Sequence, residues 1–365
     1  MHMLRSLSIQ GFRAFDRLRL DGLGRVNLVV GTNNCGKTSV LEAVSLVAGA
    51  PSLRPLLEAQ AARGELLEEP SLQVDVAQLI HGRTLRVGAG FQIDARTHDG
   101  KTVAFDASVV ARTAGPDDEV ASAEDLHLVE AGGAAQPLAL HVLWHRRGPG
   151  GTYALSPQGG LRSADAATAP VLPPDPTDRV VAFLPASGLD RERVVAAFEQ
   201  IVLKPEEAIV LEALREIEPR LERLATVGRS TRRAPASLRG GLVALIAGQR
   251  VPIGSLGDGI WRMLGVALAL SRAQGGTLLI DEIDTGLHYS VMQKMWEIVR
   301  KVARLIDVQV FATTHSRDCY EALAAIAEPG RAEISLQRIE RGRPEAIAFS
   351  EAEIRQAAER GLEVR

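Results

Sequence analysis

Val26-Asn27-Leu28-Val29-Val30-Gly31-Thr32-Asn33-Asn34-Cys35-Gly36-Lys37-Thr38 is the stretch that decides the fold of this chain. Its first five residues are nearly all apolar, the composition of a strand buried on both faces. Behind it Val40, Leu41, Val44 and Leu46/Val47 recur at helical spacing, so a helix is predicted over Thr38 to Val47. The residues between, Gly31, Thr32, Asn33, Asn34, Cys35, Gly36, Lys37 and Thr38, fit G-x-x-x-x-G-K-[ST] in full. Glycines at these places let successive backbone N–H groups converge on phosphate oxygens, and the helix adds its positive end. The stretch is therefore the candidate ATP site, with Lys37 to bridge the β- and γ-phosphates and the Thr38 hydroxyl to ligate Mg²⁺. A chance glycine turn is the plain alternative, and a buried strand before it with a helix after it argues against that.

Outward from this stretch, Leu4 to Phe12 alternates as a strand does. From about Leu72 to Leu155, short alternating runs such as Leu85 to Ile93 and Leu138 to Trp144 predict an antiparallel sheet. Asp117 to Pro137 and Ser163 to Pro176, rich in small residues, acids or proline, read as loops or linkers. Arg191 to Leu224 mixes Glu and Arg with Val, Ile and Leu and breaks at Pro205, which predicts a helical hairpin or arm. Strand periodicity is expected to return only at Gly241 to Ile246, after the arginine-rich Gly228 to Arg239. The last third alternates strand and helix through Thr277 to Ile280, Leu287 to Leu305, Val308 to Ala312 and Cys319 to Ala327. That is an α/β pattern with a largely parallel sheet.

The 365 residues, 46% of them apolar, suffice for a sizeable core. A net charge of -3 argues against a protein that coats nucleic acid by charge alone. Cys35 and Cys319 make no disulfide framework and fit a reducing compartment. No apolar run approaches the ~20 residues of a membrane helix and no signal-like start is present, so the expectation is a soluble cytoplasmic protein with no membrane partner.

Three further constellations carry chemistry. Thr277-Leu278-Leu279-Ile280-Asp281-Glu282 is a buried strand ending in two adjacent acids, whose side chains point to opposite faces and so serve different tasks. Asp281 would hold the Mg²⁺ shell and Glu282 would polarise the attacking water. Solvated acids often end apolar strands, but rarely in a chain that also carries a phosphate loop. Val308 to Ser316 is another short strand, this one ending in polar residues. Its His315, one strand-helix-strand step after Glu282, is placed to bond the γ-phosphate or the lytic water. Finally, Ser255-Leu256-Gly257-Asp258-Gly259 opens a helix that runs to about Arg272, and a glycine turn at a helix N-terminus suits an anion, with an ordinary cap as the alternative.

In this order the motifs resemble the ABC-type ATPase heads of the SMC, Rad50 and RecF group, and most closely the ATPase part of the OLD (overcoming lysogenization defect) family. The resemblance rests on Gly11-Phe12-Arg13-Ala14-Phe15, Asn33, Asp281-Glu282-Ile283-Asp284-Thr285-Gly286-Leu287-His288 and Thr313-Thr314-His315-Ser316. It covers Leu4 to Val47 and Gly254 to Leu323. It implies an α/β, ABC-type P-loop NTPase head with a mixed or parallel sheet, an antiparallel β subdomain and a helical insertion. The corresponding domains are an N-terminal lobe over 1–185, a helical insertion or arm over 186–240 and a C-terminal lobe over 241–365.

The resemblance further implies a homodimer that closes on ATP and reopens on hydrolysis. In it, Ser255, Gly257 and Gly259 of one copy cap the γ-phosphate held by the other, and Asp284 to His288 lies across the interface. Arg13 is expected near the nucleotide on the same grounds. Two departures stand out. Gly257 occupies the position of the signature serine, which leaves the hydroxyl contact to Ser255 or the cap to backbone amides. The chain after His315 has no aspartate beyond Asp318, so no Toprim nuclease site is expected there. The implied role is an ATPase that serves as sensor or gating subunit for a separately encoded nuclease or toxin in defence against phage or foreign DNA. A RecF-like clamp with DNA as partner is the alternative, and a switch that assembles partners with little turnover is a third reading.

The remaining features carry less. His141 and His145 have metal-ligand spacing for a helix but lie in a predicted strand without a partner acid. Arg229, Arg232, Arg233 and Arg239 suit DNA phosphates or a solvated loop. The resemblance also implies a glutamine loop that contacts Mg²⁺, which Gln60, Gln73 and Gln78, each following a segment of unassigned structure, leave unplaced.

Overall fold

The computed structural model describes residues 3–67, 72–112, 137–145, 150–168, 179–227 and 241–361. In chain order the elements begin with β1 (Leu4–Phe12), β2 (Phe15–Leu20), β3 (Val26–Val30), α1 (Lys37–Ala48), α2 (Arg54–Arg63) and β4 (Gln73–Asp75). They continue with β5 (Gly90–Thr97), β6 (Thr102–Ala111), β7 (Leu138–His145), β8 (Gly151–Ala154), β9 (Gly160–Arg162), α3 (Ser163–Thr168) and β10 (Val181–Leu184). Next come α4 (Arg191–Glu199), α5 (Pro205–Arg215), β11 (Leu221–Val227), β12 (Gly241–Ile246), β13 (Gln249–Pro252), α6 (Asp258–Arg272) and β14 (Thr277–Ile280). The chain closes with α7 (Tyr289–Leu305), β15 (Gln309–Thr313), α8 (Arg317–Ile326), β16 (Ile334–Arg338), β17 (Ile347–Phe349) and α9 (Glu351–Glu359). The fold is mixed α/β.

The elements form two compact units that alternate along the chain. The first comprises Met1–Gly22, Asn33–Arg179 and Ile339–Ile347, and the second Leu23–Thr32, Val180–Arg338 and Ala348–Arg365.

In the first unit an antiparallel sheet runs β2-β1-β5-β6-β7-β8. β1 buries Leu4, Leu7, Ile9 and Phe12, with a register shift between Leu4 and Ser6 interrupting strict alternation. An aromatic row crosses the sheet through Phe12, Phe91, Phe105 and Trp144, with ring centroids 4.8, 5.7 and 4.8 Å apart. Such tilted ring pairs add to burial because ring edges meet ring faces. Helix α1 packs here, and the Trp144 indole donates to the carbonyl of Leu46 at 3.3 Å.

The second unit is built on a sheet ordered β10-β14-β15-β3-β16-β17, whose first five strands run parallel to one another. β3 is buried along its whole length, as a strand with neighbours on both sides and helices over it requires. Each of its valines and leucine contributes roughly 1.5–3 kcal/mol by burial. Its polar start is pinned rather than exposed. Asn27 donates to the carbonyls of Gly24 and Val310, and Arg25 donates to those of Ala303 and Val308. Parallel order places the carboxyl ends of β3, β14 and β15 on one edge, where open α/β sheets bind ligands.

The structure departs from the sequence expectations at several places. Leu221–Val227, expected to continue a helix, is strand β11 paired with β12. A register shift between Leu221 and Arg223 leaves Leu221 and Leu224 buried three apart, which imitates helical spacing. Strand structure therefore returns before Gly241. Ser163–Thr168 forms the short helix α3 rather than a loop, in keeping with its alanines. Leu85 to Ala89 precede β5 instead of forming part of a strand. Pro205 is the first residue of α5, and α4 and α5 bury Val194, Phe198, Val210 and Leu214 in the same core as α6. Residues 117–136 and 169–176, and Arg229, Arg232, Arg233 and Arg239, lie outside the described residues. No helix among the described residues is long and apolar enough to cross a membrane.

Candidate nucleotide site

The glycine loop leaves the end of β3 at Gly31 and enters α1 at Lys37, and the boundary between the two units falls between Thr32 and Asn33. Thr32, Asn33 and Asn34 are exposed, Cys35 and Lys37 are buried, and Gly36 and Thr38 are half-buried. Asn34 (φ 59°) and Gly36 (φ 102°) take left-handed backbone, which turns the chain into the helix. At Gly36 a Cβ would fall 2.3 Å from the ring of Phe15, so glycine is required there twice over. No acid occupies the first turn of α1, so its positive end keeps its attraction for anions.

Within the first unit Arg13 lies against this helix. Its guanidinium, 6% exposed, contacts Glu42 at 2.5 Å and Glu65 at 2.8 Å, while Arg63 reaches Glu42 at 2.8 Å. Burial pushes the Glu42 carboxyl up, and Arg13 and Arg63 oppose that shift. The network ties the turn after β1 to α1 and α2. It accounts for an arginine in Gly11-Phe12-Arg13-Ala14-Phe15, while Phe15 props the loop at Gly36.

In the second unit the two acids that end β14 are held by groups from β15 and α6. The Thr313 hydroxyl donates to Asp281 Oδ1 at 2.6 Å and accepts from the N–H of Glu282 at 2.8 Å. Glu282 itself has φ 47°, a conformation that costs a non-glycine residue about 1–2 kcal/mol. Strain of this kind persists only where neighbours enforce it. His315 Nδ1 stands 3.5 Å from Glu282 Oε1, and the Thr285 hydroxyl is 3.5 Å from Oε2. Both His315 and Glu282 remain partly open to solvent, at 51% and 37% side-chain exposure, as groups that meet a ligand must. Thr314 donates to Asp284 Oδ1 at 2.6 Å, which anchors the following loop.

Sequence reasoning missed Arg262. It is buried on α6 and donates to the carbonyls of Asp281 at 2.7 Å, Glu282 at 2.6 Å and Pro185 at 2.9 Å. Burial lowers its pKa, and the nearby Asp284, Asp281 and Glu282 act the other way. A signal was available, because residues 262, 266 and 269 share a helix face whose other members are apolar.

The Ser255 to Gly259 turn lies in the same unit. Ser255 and Gly257 are exposed, Gly257 has φ 88°, and a Cβ on it would meet nothing within 4 Å. A Cβ on Gly259 would come 3.4 Å from the carbonyl of Gly286, so this turn rests on the Asp284 to His288 loop. His288 caps α7 by accepting from the Ser290 N–H.

The other candidates have ordinary surroundings. Contrary to the expectation of no partner acid, His145 pairs with Asp106 across neighbouring strands, while His141 pairs with the Thr152 hydroxyl. Gln60 is fully buried and uses both ends of its amide on the backbone of Asp75, at 2.7 Å each, so it is a fixed brace between α2 and β4. Gln73 is buried beside Gly160, and Gln78 sits in the turn after β4. Among the described residues no group of three or more His, Cys, Asp or Glu is arranged to hold a metal ion.

Comparison with known proteins finds two family models on separate stretches. Residues 209–318 match "AAA domain, putative AbiEii toxin, Type IV TA system", and residues 6–84 match "AAA domain". A Helicobacter pylori protein named ATP/GTP phosphatase is 21% identical over 350 residues, covering 88% of this chain and 87% of its own. An uncharacterized protein of Methanocaldococcus jannaschii is 41% identical over 44 residues, which cover 12% of this chain and 20% of that protein. Among solved structures, an SMC head domain from Thermotoga maritima superposes with TM-score 0.45 at 12% identity, covering 95% of this chain and 98% of that one. An Smc head bound to the C-terminal domain of ScpA, from Pyrococcus furiosus, gives 0.47 at 12% identity and covers 99% of each. The chain thus carries two segments similar to AAA ATPase domains, one holding the glycine loop and the other the paired acids of β14.

Proposed function

We propose that this chain binds Mg-ATP and hydrolyses it. The observation that carries the reading is the pair of acids after β14, where Thr313 grips Asp281 by its carboxylate and Glu282 by its N–H. In this reading the amides of Gly31 to Thr38 and the Lys37 ammonium hold the phosphates, Glu282 orients the attacking water, and His315 beside it senses the γ-phosphate. The Thr38 hydroxyl and the Asp281 carboxylate are hard oxygen donors that suit Mg²⁺, an ion that keeps several waters and takes few protein ligands. Mg²⁺, when bound with the nucleotide, neutralises charge that develops on the transferred phosphoryl group.

The similarity to a protein named ATP/GTP phosphatase supports phosphohydrolysis and leaves the purine to be measured. The test is phosphate release from ATP and from GTP with Mg²⁺, for the wild type and Lys37→Ala. Release by the wild type and none by the variant is expected. A wild type that neither binds nor cleaves either nucleotide refutes the reading.

The same reading takes the ATP-bound state to be a homodimer of ABC type, with Ser255, Gly257 and Gly259 of one copy completing the site of the other. That turn is exposed, and a Cβ on Gly257 would meet nothing within 4 Å, so a second copy could reach it. Its output is proposed to be the gating of a separately encoded nuclease or toxin, on the resemblance to OLD-type ATPases. Protection in a plaque assay that depends on Lys37 would support this. Salt-sensitive, ATP-dependent retention on gapped DNA without protection would favour a RecF-like clamp instead.

A further inference from the structure

Resting on the hydrolytic reading of Glu282, we infer that Arg262 is a positioning residue that couples the Gly257 to Gly259 turn to the water-polarising carboxylate. Arg262 sits just past the first turn of α6, the helix that the glycine turn opens. Its hydrogen bonds gather three successive carbonyls, those of Asp281 at 2.7 Å, Glu282 at 2.6 Å and Ile283 at 3.4 Å. It also binds the end of β10 through Pro185 at 2.9 Å and Ala186 at 3.5 Å. Three consecutive carbonyls converge on one cation only where the chain bends sharply, and the left-handed backbone of Glu282 supplies that bend.

The Glu282 residue is therefore gripped from two directions. Thr313 takes its N–H at 2.8 Å, and Arg262 takes its carbonyl. The grip from β15 belongs to the rigid sheet, whereas the grip from Arg262 belongs to the helix that carries the glycine turn. A ligand or second copy that shifts the start of α6 moves Arg262, and through it the backbone that aims the Glu282 carboxylate. Only a planar fork with donors on three nitrogens makes all these bonds at once; an ammonium makes fewer and without fixed geometry.

The test uses the full chain carrying Arg262→Met or Arg262→Lys, with steady-state phosphate release, ATP affinity and thermal melting measured together. Because small misplacement of a catalytic group costs on the order of 100-fold, Arg262→Met is expected to lower kcat by about that factor while ATP affinity stays at the wild-type level. Arg262→Lys should recover part of the loss. Placed on Glu282→Gln, the Met substitution should cause no further loss of turnover, since both act through one carboxylate. Wild-type kcat in Arg262→Met, a loss confined to affinity, or full additivity with Glu282→Gln overturns the inference. So does failure of both variants to fold, which would assign Arg262 to stability alone. A wild type without phosphate release fails the hydrolytic reading and takes this one with it, whereas an active wild type with an equally active Arg262→Met fails only the inference.

Discussion

Thr313 Oγ1 donates to Asp281 Oδ1 at 2.6 Å, and the same oxygen accepts the N–H of Glu282 at 2.8 Å. One fully buried hydroxyl on β15 thereby fixes both acids at the end of the neighbouring strand. Thr313→Val keeps the shape and removes the hydroxyl, so the Glu282 N–H loses its acceptor at a cost of about 1–3 kcal/mol. Melting should show that loss, and phosphate release should fall with it. Thr313→Ser, which restores the oxygen, should return most of the activity. Equal activity of the valine and serine variants would remove the hydroxyl from the argument.

Glu282→Gln separates binding from cleavage. The amide keeps size and polarity but cannot polarise water as a carboxylate does, so turnover should fall by about 100-fold or more. ATP affinity should persist, and light scattering should find an ATP-dependent dimer that outlasts the wild type's. A monomer with unchanged turnover would take Glu282 out of the mechanism.

The parts of the fold written in local patterns were legible in the sequence. β3, the glycine loop and α1 follow from an apolar run, two glycines and helical spacing, all within a few residues of one another. What was not legible depends on partners distant along the chain. The bulge near Leu221 spaces two buried leucines three apart, so β11 declares itself only through pairing with β12. Likewise β3 joins the second unit because it pairs with β15 and β16, which no window around Val26 contains. Within the site, the acids and His315 could be named from motif order. Arg262 could not be given a task, because its acceptors at Pro185 and Asp281 to Ile283 come together only in the folded chain. Arg13 was legible as part of a motif, but not its engagement with Glu42 and Glu65.

Gly36 offers a test of the loop that does not touch the phosphate-binding side chains. An alanine there must take φ 102° and place its methyl 2.3 Å from the Phe15 ring. The backbone alone costs about 1–2 kcal/mol, and the buried ring has little room to retreat. Gly36→Ala should therefore lower the melting temperature and weaken ATP binding. Adding Phe15→Leu should recover part of the stability, since it relieves the clash but not the dihedral strain. Full recovery would mean that the dihedral carries no cost, and none would mean that the ring does not set the constraint.

The start of α9 should respond to pH through one carboxylate. Ser350 precedes α9, and its N–H and hydroxyl both donate to Glu353 Oε2, at 2.8 and 2.7 Å. These two bonds hold the Glu353 carboxyl below its ordinary value of 4.5. Between the folded and unfolded pKa values the unfolded chain binds more protons, so the contribution of Glu353 to stability grows with pH there. It is complete above the unfolded value and is lost as pH falls through the folded one. Glu353→Ala removes only the reciprocal half of the capping box, at an exposed position, so it should cost a fraction of the roughly 0.5–2 kcal/mol that a full N-cap is worth at neutral pH. In denaturant melts of both proteins, that difference should shrink steadily once the pH drops below 4.5, because a protonated carboxyl is a poorer acceptor. A difference that holds constant into strong acid would show that Glu353 stabilises α9 without its charge.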